Sequence, residues 1–335
     1  MVTRGSDSRF GVFRGAGVAV TGGVGLIGSA LARQLVPLGA RVLLIDNMMP
    51  AGGANLANIA AIRDRVQVEV ADIRDGEAMR RLLARCDFLF DLAAQTSHLD
   101  SMKAPFDDLA TNATAQLQLL ETCREMNPAI VIVHAGTRQI YGRPRYLPVD
   151  EAHPLNPTDV NGVNKMAGEA FHLMFHSAYG LDTRSLRLTN VYGPGMRIKD
   201  ARQNFLGIWL RRVIEGEAFE VWGGEQRRDM VFVDDAAEAF LAAAVTPETR
   251  GKALNIGGDA PYSLAEIASA MIAANSGGRY ELKEFPAERK RIDIGDFVTD
   301  DRQFRILANW TPSTTLAEGL RQSIDYYRSH LAAYL

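Results

Sequence analysis

The chain has 335 residues, enough for one large α/β domain or a large domain with a smaller partner. Hydrophobic residues at 47% and charged residues at 23% suit a soluble globular enzyme, and a net charge of −3 offers no basic field for nucleic acid or an anionic membrane. No stretch reaches the ~18 apolar residues of a membrane span. The six His show no ligand pair at metal spacing, so no metal is expected, and Cys86 and Cys123 form no CxxC pair, which suits a reducing cytoplasm.

Met1 to Gly17 is polar and glycine-rich without the apolar core of a signal peptide, so residues 1–14 read as a short flexible arm. Gly17-Val-Ala-Val-Thr21 is an apolar run ending in glycines and predicts a buried strand, followed by a helix from Leu26 to Leu38 that stops at Gly39. Further strands are expected at 41–46, 66–70, 88–92 and 130–134, with helices around 76–85 and 107–126 between them. This alternation means βαβ units: a Rossmann-like, doubly wound parallel sheet with helices on both faces. A long helix is expected over 161–179 and a strand over 183–188. After Gly193 the rhythm loosens, with helices near 203–215, 235–245, 263–275 and 315–330 and short strands at 219–222, 231–233 and 281–284. The expected organisation is a nucleotide-binding domain over 15–193 and a smaller mixed α/β substrate lobe over 194–335, with segments crossing back.

Between the first strand and first helix lies Gly22-Gly23-Val24-Gly25-Leu26-Ile27-Gly28. Gly22, Gly25 and Gly28 supply a tight turn, close backbone approach to a pyrophosphate and close helix–sheet packing. The helix N–H groups at Leu26 and Ile27 then face phosphate. Asp46, ending the second strand, can accept both ribose hydroxyls and would repel a 2′-phosphate, which favours NAD over NADP. Asp72-Ile73 follows the third strand; Asp72 holds the adenine amino group, caps the 76–85 helix, or both. Leu92-Ala93-Ala94 ends the fourth strand with small residues that let a dinucleotide lie close to the sheet edge.

These motifs resemble the extended short-chain dehydrogenase/reductase family, in particular its NAD-dependent nucleotide-sugar epimerases and dehydratases. The glycine loop, Asp46-Asn47 with Gly53 and Asn55-Leu56, Leu92-Ala93-Ala94, Asn112 and Thr137-Arg-Gln-Ile-Tyr-Gly142 stand in that family's order. So do Lys165, Leu188-Thr-Asn190-Val-Tyr-Gly-Pro194, Arg228-Asp229 with Val233-Asp234-Asp235, and the closing Asn309-Trp310-Thr-Pro312 and Leu316-Ala-Glu-Gly-Leu320. The match runs over about residues 15 to 332. The resemblance implies a bound NAD that transiently oxidises a nucleotide sugar to a keto intermediate, which is reduced from the other face or first loses water or carbon dioxide. It makes Thr137 the active-site Ser/Thr and Lys165 the lysine at the nicotinamide ribose. Asn190 becomes a contact to the sugar-nucleotide phosphates, and Arg228 a diphosphate clamp. Arg291 lies near a second phosphate arginine, with Arg291-Ile-Asp-Ile-Gly-Asp296 offset from the usual spacing. Lys199 and Arg202 fall where the base and ribose lie, or else on a solvated helix face. The helices over 107–126 and 161–179 form the homodimer's four-helix bundle in the family; alternatively their apolar stripes bury against the sheet.

Two departures bear on the reaction. The family's base is a Tyr four residues before the lysine; in Asn161-Gly-Val-Asn-Lys165 that position is Asn161, and an amide cannot take a proton as a general base. Three groups are candidates to replace it: Tyr141, mostly structural in the family; His98 in Gln95-Thr-Ser-His-Leu-Asp-Ser101, facing the sugar pocket; and a desolvated Lys165. Some dehydratases of the family also lack the tyrosine. The second departure is Arg138-Gln139, where 4,6-dehydratases carry Asp-Glu, which disfavours that elimination. Arg138 pairs with a substrate carboxylate or phosphate, or is a surface arginine.

The expected activity is an epimerase acting at C4 of a nucleoside-diphosphate hexose. The alternatives are an atypical dehydratase, decarboxylase or C2 or C3/C5 epimerase, and a non-catalytic NAD-binding sensor or scaffold.

Overall fold

The computed structural model describes residues 8–49, 52–200, 205–285 and 294–335. Its centre is a seven-stranded, all-parallel sheet. The strands are β1 (Gly17–Thr21), β2 (Arg41–Asp46), β3 (Gln67–Val70), β4 (Phe88–Asp91), β5 (Val131–Thr137), β6 (Asp182–Leu188) and β10 (Ala253–Ile256), in the order β10-β6-β5-β4-β1-β2-β3. All five residues of β1 are buried because both faces are covered. Val18 and Val20 enter the core on one face and Ala19 the core on the other, the two-residue period of a strand. The helices α1 (Leu26–Leu35) and α8 (Val233–Val245) cover the first face; α2 (Gly76–Leu83), α5 (Ala115–Met126) and α6 (Val160–Tyr179) cover the second.

From β1 the chain builds β2 and β3 on one side, then returns to place β4 on the other. This reversal splays the loops after β1 and β4 apart and opens a crevice at the strands' carboxyl ends, where ligands bind in such sheets.

The smaller sheets are β11 (Pro261–Ser263)-β9 (Arg227–Phe232)-β7 (Asn190–Tyr192) and β12 (Tyr280–Lys283)-β8 (Phe219–Trp222). They pack with α7 (Phe205–Ile214), α9 (Leu264–Asn275) and α11 (Leu316–His330) through Trp209, Phe219, Leu210, Ile267 and Ile324, continuous with the core under α1 and α8.

Several elements differ from expectation. The 107–126 helix is divided: α4 (Pro105–Leu109) passes through one π-helical turn, Ala110–Thr114, into α5. β10, the 3-10 helix Leu56–Arg65 and α10 (Arg302–Ala308) lack strong periodic signals and are additions. Ser8–Phe13 is not a loose arm: it forms a 3-10 helix that buries Phe13 against Phe88 and Phe90.

Candidate active site

A cleft of about 640 Å³ opens at the switch between β1 and β4. Gly22, Gly25, Leu26, Ile27 and Gly28 form its floor. Gly22 has φ of +65°, a left-handed conformation that disfavours a side chain, and a Cβ on Gly28 would stand 2.4 Å from the Gly22 carbonyl oxygen. Gly25 caps α1 without any side-chain hydrogen bond, so the first N–H groups of that helix face the cleft uncovered. A Cβ-free cradle at an uncapped helix start fits the pyrophosphate of a dinucleotide.

Asp46 and Asn47 line the cleft beside this loop. Asp46 Oδ2 accepts from Val24 N (3.2 Å) and Oδ1 from Met48 N (2.9 Å). Burial pushes its carboxyl up, against the pull of those two N–H groups. Asp72 and Ile73 also line the cleft, but Asp72 does not cap the following helix. That role belongs to Asp75, which accepts from Glu77 N and Ala78 N, each at 3.1 Å. Asp72 is instead gripped by Arg74 through two 2.8 Å bonds and by Asn47 Nδ2 at 2.9 Å, which hold its carboxyl far below the usual range. Leu92, Ala93 and Ala94 line the opposite wall. Thr21 Oγ1 fixes it, accepting from Leu92 N (3.0 Å) and Ala93 N (3.1 Å) and donating to buried Asp91 (2.7 Å).

The other end of the cleft gathers Gln95, His98, Thr137, Arg138, Asn161, Lys165 and Asn190. Lys165 Nζ, on α6, donates to Ala135 O at 2.7 Å. Burial pushes its pKa down, opposed by Asp91, Glu169 and Asp108. Asn161, one helical turn earlier, donates from Nδ2 to Gln95 O (2.8 Å) and Asp108 Oδ2 (3.0 Å). Asp108 is fully buried and also accepts from Asn164 Nδ2 at 2.8 Å. Asn161 therefore belongs to a buried Asn161–Asp108–Asn164 network. Asn112, brought in by the π-turn, clamps the Gln95 backbone on both sides, at 3.2 and 2.9 Å. The Gln95 side chain turns back onto the Ser97 backbone. Thr137 Oγ1 caps the following 3-10 turn by accepting from Gln139 N (3.2 Å). Arg138 donates to Asn190 Oδ1 at 3.1 Å and lies over the Phe297 ring.

Tyr141 is not at this site. Its ring is fully buried, its hydroxyl donates to Asn255 Oδ1 (2.7 Å) and accepts from Arg187 Nη1 (2.6 Å), and burial pushes its pKa up to about 12. Arg228 lies off the cleft on β9, donating to the carbonyls of Arg227 (2.9 Å) and Gly295 (2.5 Å). Lys199 is exposed and does not line the cleft; Arg202 and Arg291 lie outside the described residues. Three residues come into view only in the fold. Arg197 lines the cleft and pairs with Asp200 (2.6 Å), Asp108 holds both asparagines, and Asp159 contacts His98. Asp159 had a legible signal, a helix-capping residue at the head of α6; Asp108 and Arg197 had none.

Beneath Lys165, a cluster that the sequence spacing does not announce brings Asp91, His134 and His172 within 4.8 Å of one another. All three are buried. The imidazole rings stack, with centroids 4.4 Å apart and planes 24° from parallel, so their in-plane lone pairs run side by side rather than converging as on a tetrahedral ion. Burial, then the neighbouring His172 and Lys165, holds His134 well below its ordinary pKa, in the neutral form.

The sheet, glycine cradle, acidic β2 terminus and buried lysine define an NAD-binding Rossmann enzyme of the short-chain dehydrogenase/reductase type. A model of the NAD dependent epimerase/dehydratase family matches residues 18–257, and the chain belongs to that family. It is 30% identical over 313 residues to a UDP-glucose 4-epimerase of Mycolicibacterium smegmatis, covering 92% of this chain and 98% of the relative. It is 29% identical over 329 residues to a dTDP-glucose 4,6-dehydratase of Xanthomonas campestris pv. campestris, covering 92% of each. The structure superposes with a TM-score of 0.85 on a UDP-glucose 4-epimerase from Thermotoga maritima solved with UDP-glucose, at 27% identity and covering 94% of this chain and 99% of that one.

Proposed function

We propose that the chain epimerises a nucleoside-diphosphate hexose, at C4, with NAD restored in each cycle. When bound, NAD supplies the oxidising and then reducing equivalent. The observation that carries this reading is that Thr137 and Lys165 open into the same cleft as the Gly22–Gly28 cradle. In this reading Lys165 holds the nicotinamide ribose, Asp46 the adenosine ribose hydroxyls, Thr137 the reacting sugar hydroxyl, and Arg138 with Asn190 the diphosphate end. Gln139 stands where elimination of water needs a carboxylate, and its amide is held by Asp159 at 3.0 Å, which weighs against 4,6-dehydration.

We also place the enzyme in the cytoplasm as a homodimer. Cys86 and Cys123 are buried thiols without a disulfide, and no helix among the described residues is long and apolar enough to cross a membrane. The dimer would pair α4, α5 and α6, which leave Phe106, Leu109, Leu117, Val163 and Met174 exposed.

The test is incubation with NAD and a panel of UDP-, dTDP-, GDP- and CDP-hexoses, read by NMR of the sugar protons. Interconversion of two C4 stereoisomers without net NADH is expected, and Lys165→Met abolishes it. NAD binding with no sugar nucleotide bound at all would instead establish a non-catalytic sensor.

A further inference from the structure

We propose that His98 and Asp159 form the proton-accepting dyad that stands in for the tyrosine absent at position 161. The proposal rests on the epimerase reading. Asp159 is the N-cap of α6, and its side chain has no solvent exposure. Its Oδ1 accepts from Gly162 N at 2.7 Å, and its Oδ2 accepts from Gln139 Nε2 at 3.0 Å. The same Oδ2 lies 2.8 Å from His98 Nδ1. Burial of the carboxyl works to raise its pKa, but the contacts with His98, Gly162 and Gln139 outweigh it, and the group is held anionic. His98 is the first residue of α3 (His98–Lys103), placed by Ser97, whose Oγ caps that helix by accepting from Asp100 N (3.2 Å). Its side chain is 40% exposed and lines the cleft with Thr137, Asn161 and Lys165.

A carboxylate beside Nδ1 holds the proton on that nitrogen and leaves the Nε2 lone pair for a substrate. The Nδ1–H does not yet point along the line to Oδ2, and no other hydrogen-bond partner takes it. A ring rotation closes the bond, as happens at catalytic contacts that tighten only with substrate bound. The other candidate bases are less free to take that proton. Tyr141 is sealed between Asn255 and Arg187, Lys165 donates to Ala135 O, and Asn161 has no titratable proton.

In the oxidising half-reaction the sugar O–H bond breaks and its proton passes to His98 Nε2. The oxygen electron pair would form the C=O bond, and bound NAD would supply the two-electron acceptor for the carbon's hydrogen. In the return step the imidazolium would give its proton back to the oxygen and the reduced cofactor would supply that hydrogen again, so no outside oxidant is needed. His98 is thus a catalytic residue and Asp159 a positioning residue.

Three variants and one spectrum test this. His98→Gln lowers kcat by about 10²–10⁴-fold, the usual worth of a general base, with KM and NAD affinity near wild type. His98→Ala regains turnover with added imidazole. Asp159→Asn lowers kcat while leaving KM, and nitrogen-15 NMR of the unliganded protein shows His98 protonated on Nδ1 in wild type but not in this variant. A wild type that epimerises while His98→Gln keeps its kcat within about threefold overturns the dyad and leaves the epimerase reading standing. A wild-type His98 protonated on Nε2 overturns the dyad without any turnover measurement. A wild type that turns over no hexose nucleotide, with the Nδ1 tautomer present, overturns the epimerase reading and the catalytic role of His98 with it.

Discussion

The two ends of the cleft are made from different materials. At the Gly22–Gly28 end the contacts on offer are backbone N–H groups, and the side chains that matter are those that are missing. At the His98–Asn161 end the contacts are side chains, and buried carboxylates set their positions: Asp108 holds Asn161 and Asn164, while Asp159 stands against His98 and Gln139. A backbone site is sensitive above all to added bulk. A side-chain site depends on each buried polar partner staying in place.

The largest expected effect breaks the first end. Gly28→Val puts a branched side chain where even a Cβ meets the Gly22 carbonyl at 2.4 Å. Calorimetric NAD affinity should fall by about tenfold or more, with about 1–3 kcal/mol of overpacking cost. NAD affinity kept at the wild-type value would mean the pyrophosphate lies elsewhere.

The second end is probed by Asp108→Leu, which takes one acceptor from each of two buried amides. Denaturant unfolding should show a loss of about 1–3 kcal/mol, the cost of unsatisfied buried donors. Unchanged stability would mean that both amides find other partners.

Tyr141→Phe separates scaffold from chemistry. It removes one partner each from Asn255 and Arg187, so stability falls by about 1 kcal/mol. Turnover stays within about twofold, whereas a true general base would lose about 10²-fold or more.

The last effect is one of pH, beneath Lys165. His134 has a folded pKa depressed below its unfolded value near 6.5, so the stability it contributes is whole above about pH 6.5 and is lost as pH falls below it. One proton limits the slope to about 1.4 kcal/mol per pH unit. The wild-type stability curve minus that of His134→Gln should show this loss between about pH 6.5 and 5. Parallel curves would show that folding leaves the His134 pKa where it is in the unfolded chain.

The glycine end and the parallel sheet were legible in the sequence because they are local. A strand, a tight glycine turn, a helix start and an acidic strand terminus follow one another within residues 17–46, and each has its own pattern of period and composition. The broken helix at 110–114 and the edge strand β10 were not legible. A single π-turn leaves the chain helical on either side, and Ala253–Ile256 carries an Asn within its four residues, so no clean apolar run marks it.

At the reacting end, residue identities alone show an amide, Asn161, one turn before Lys165, and no carboxylate at Arg138-Gln139. What surrounds those residues follows from long-range packing. Asp108 and Asp159 lie 53 residues from Asn161 and 61 residues from His98, so no spacing rule links them, and β4, α4 and α6 must pack before those groups meet. Burial then does what sequence cannot foretell. It seals Tyr141 into the scaffold, holds His134 neutral, and sets the charged Asp159 beside the one imidazole open to the cleft among the residues described.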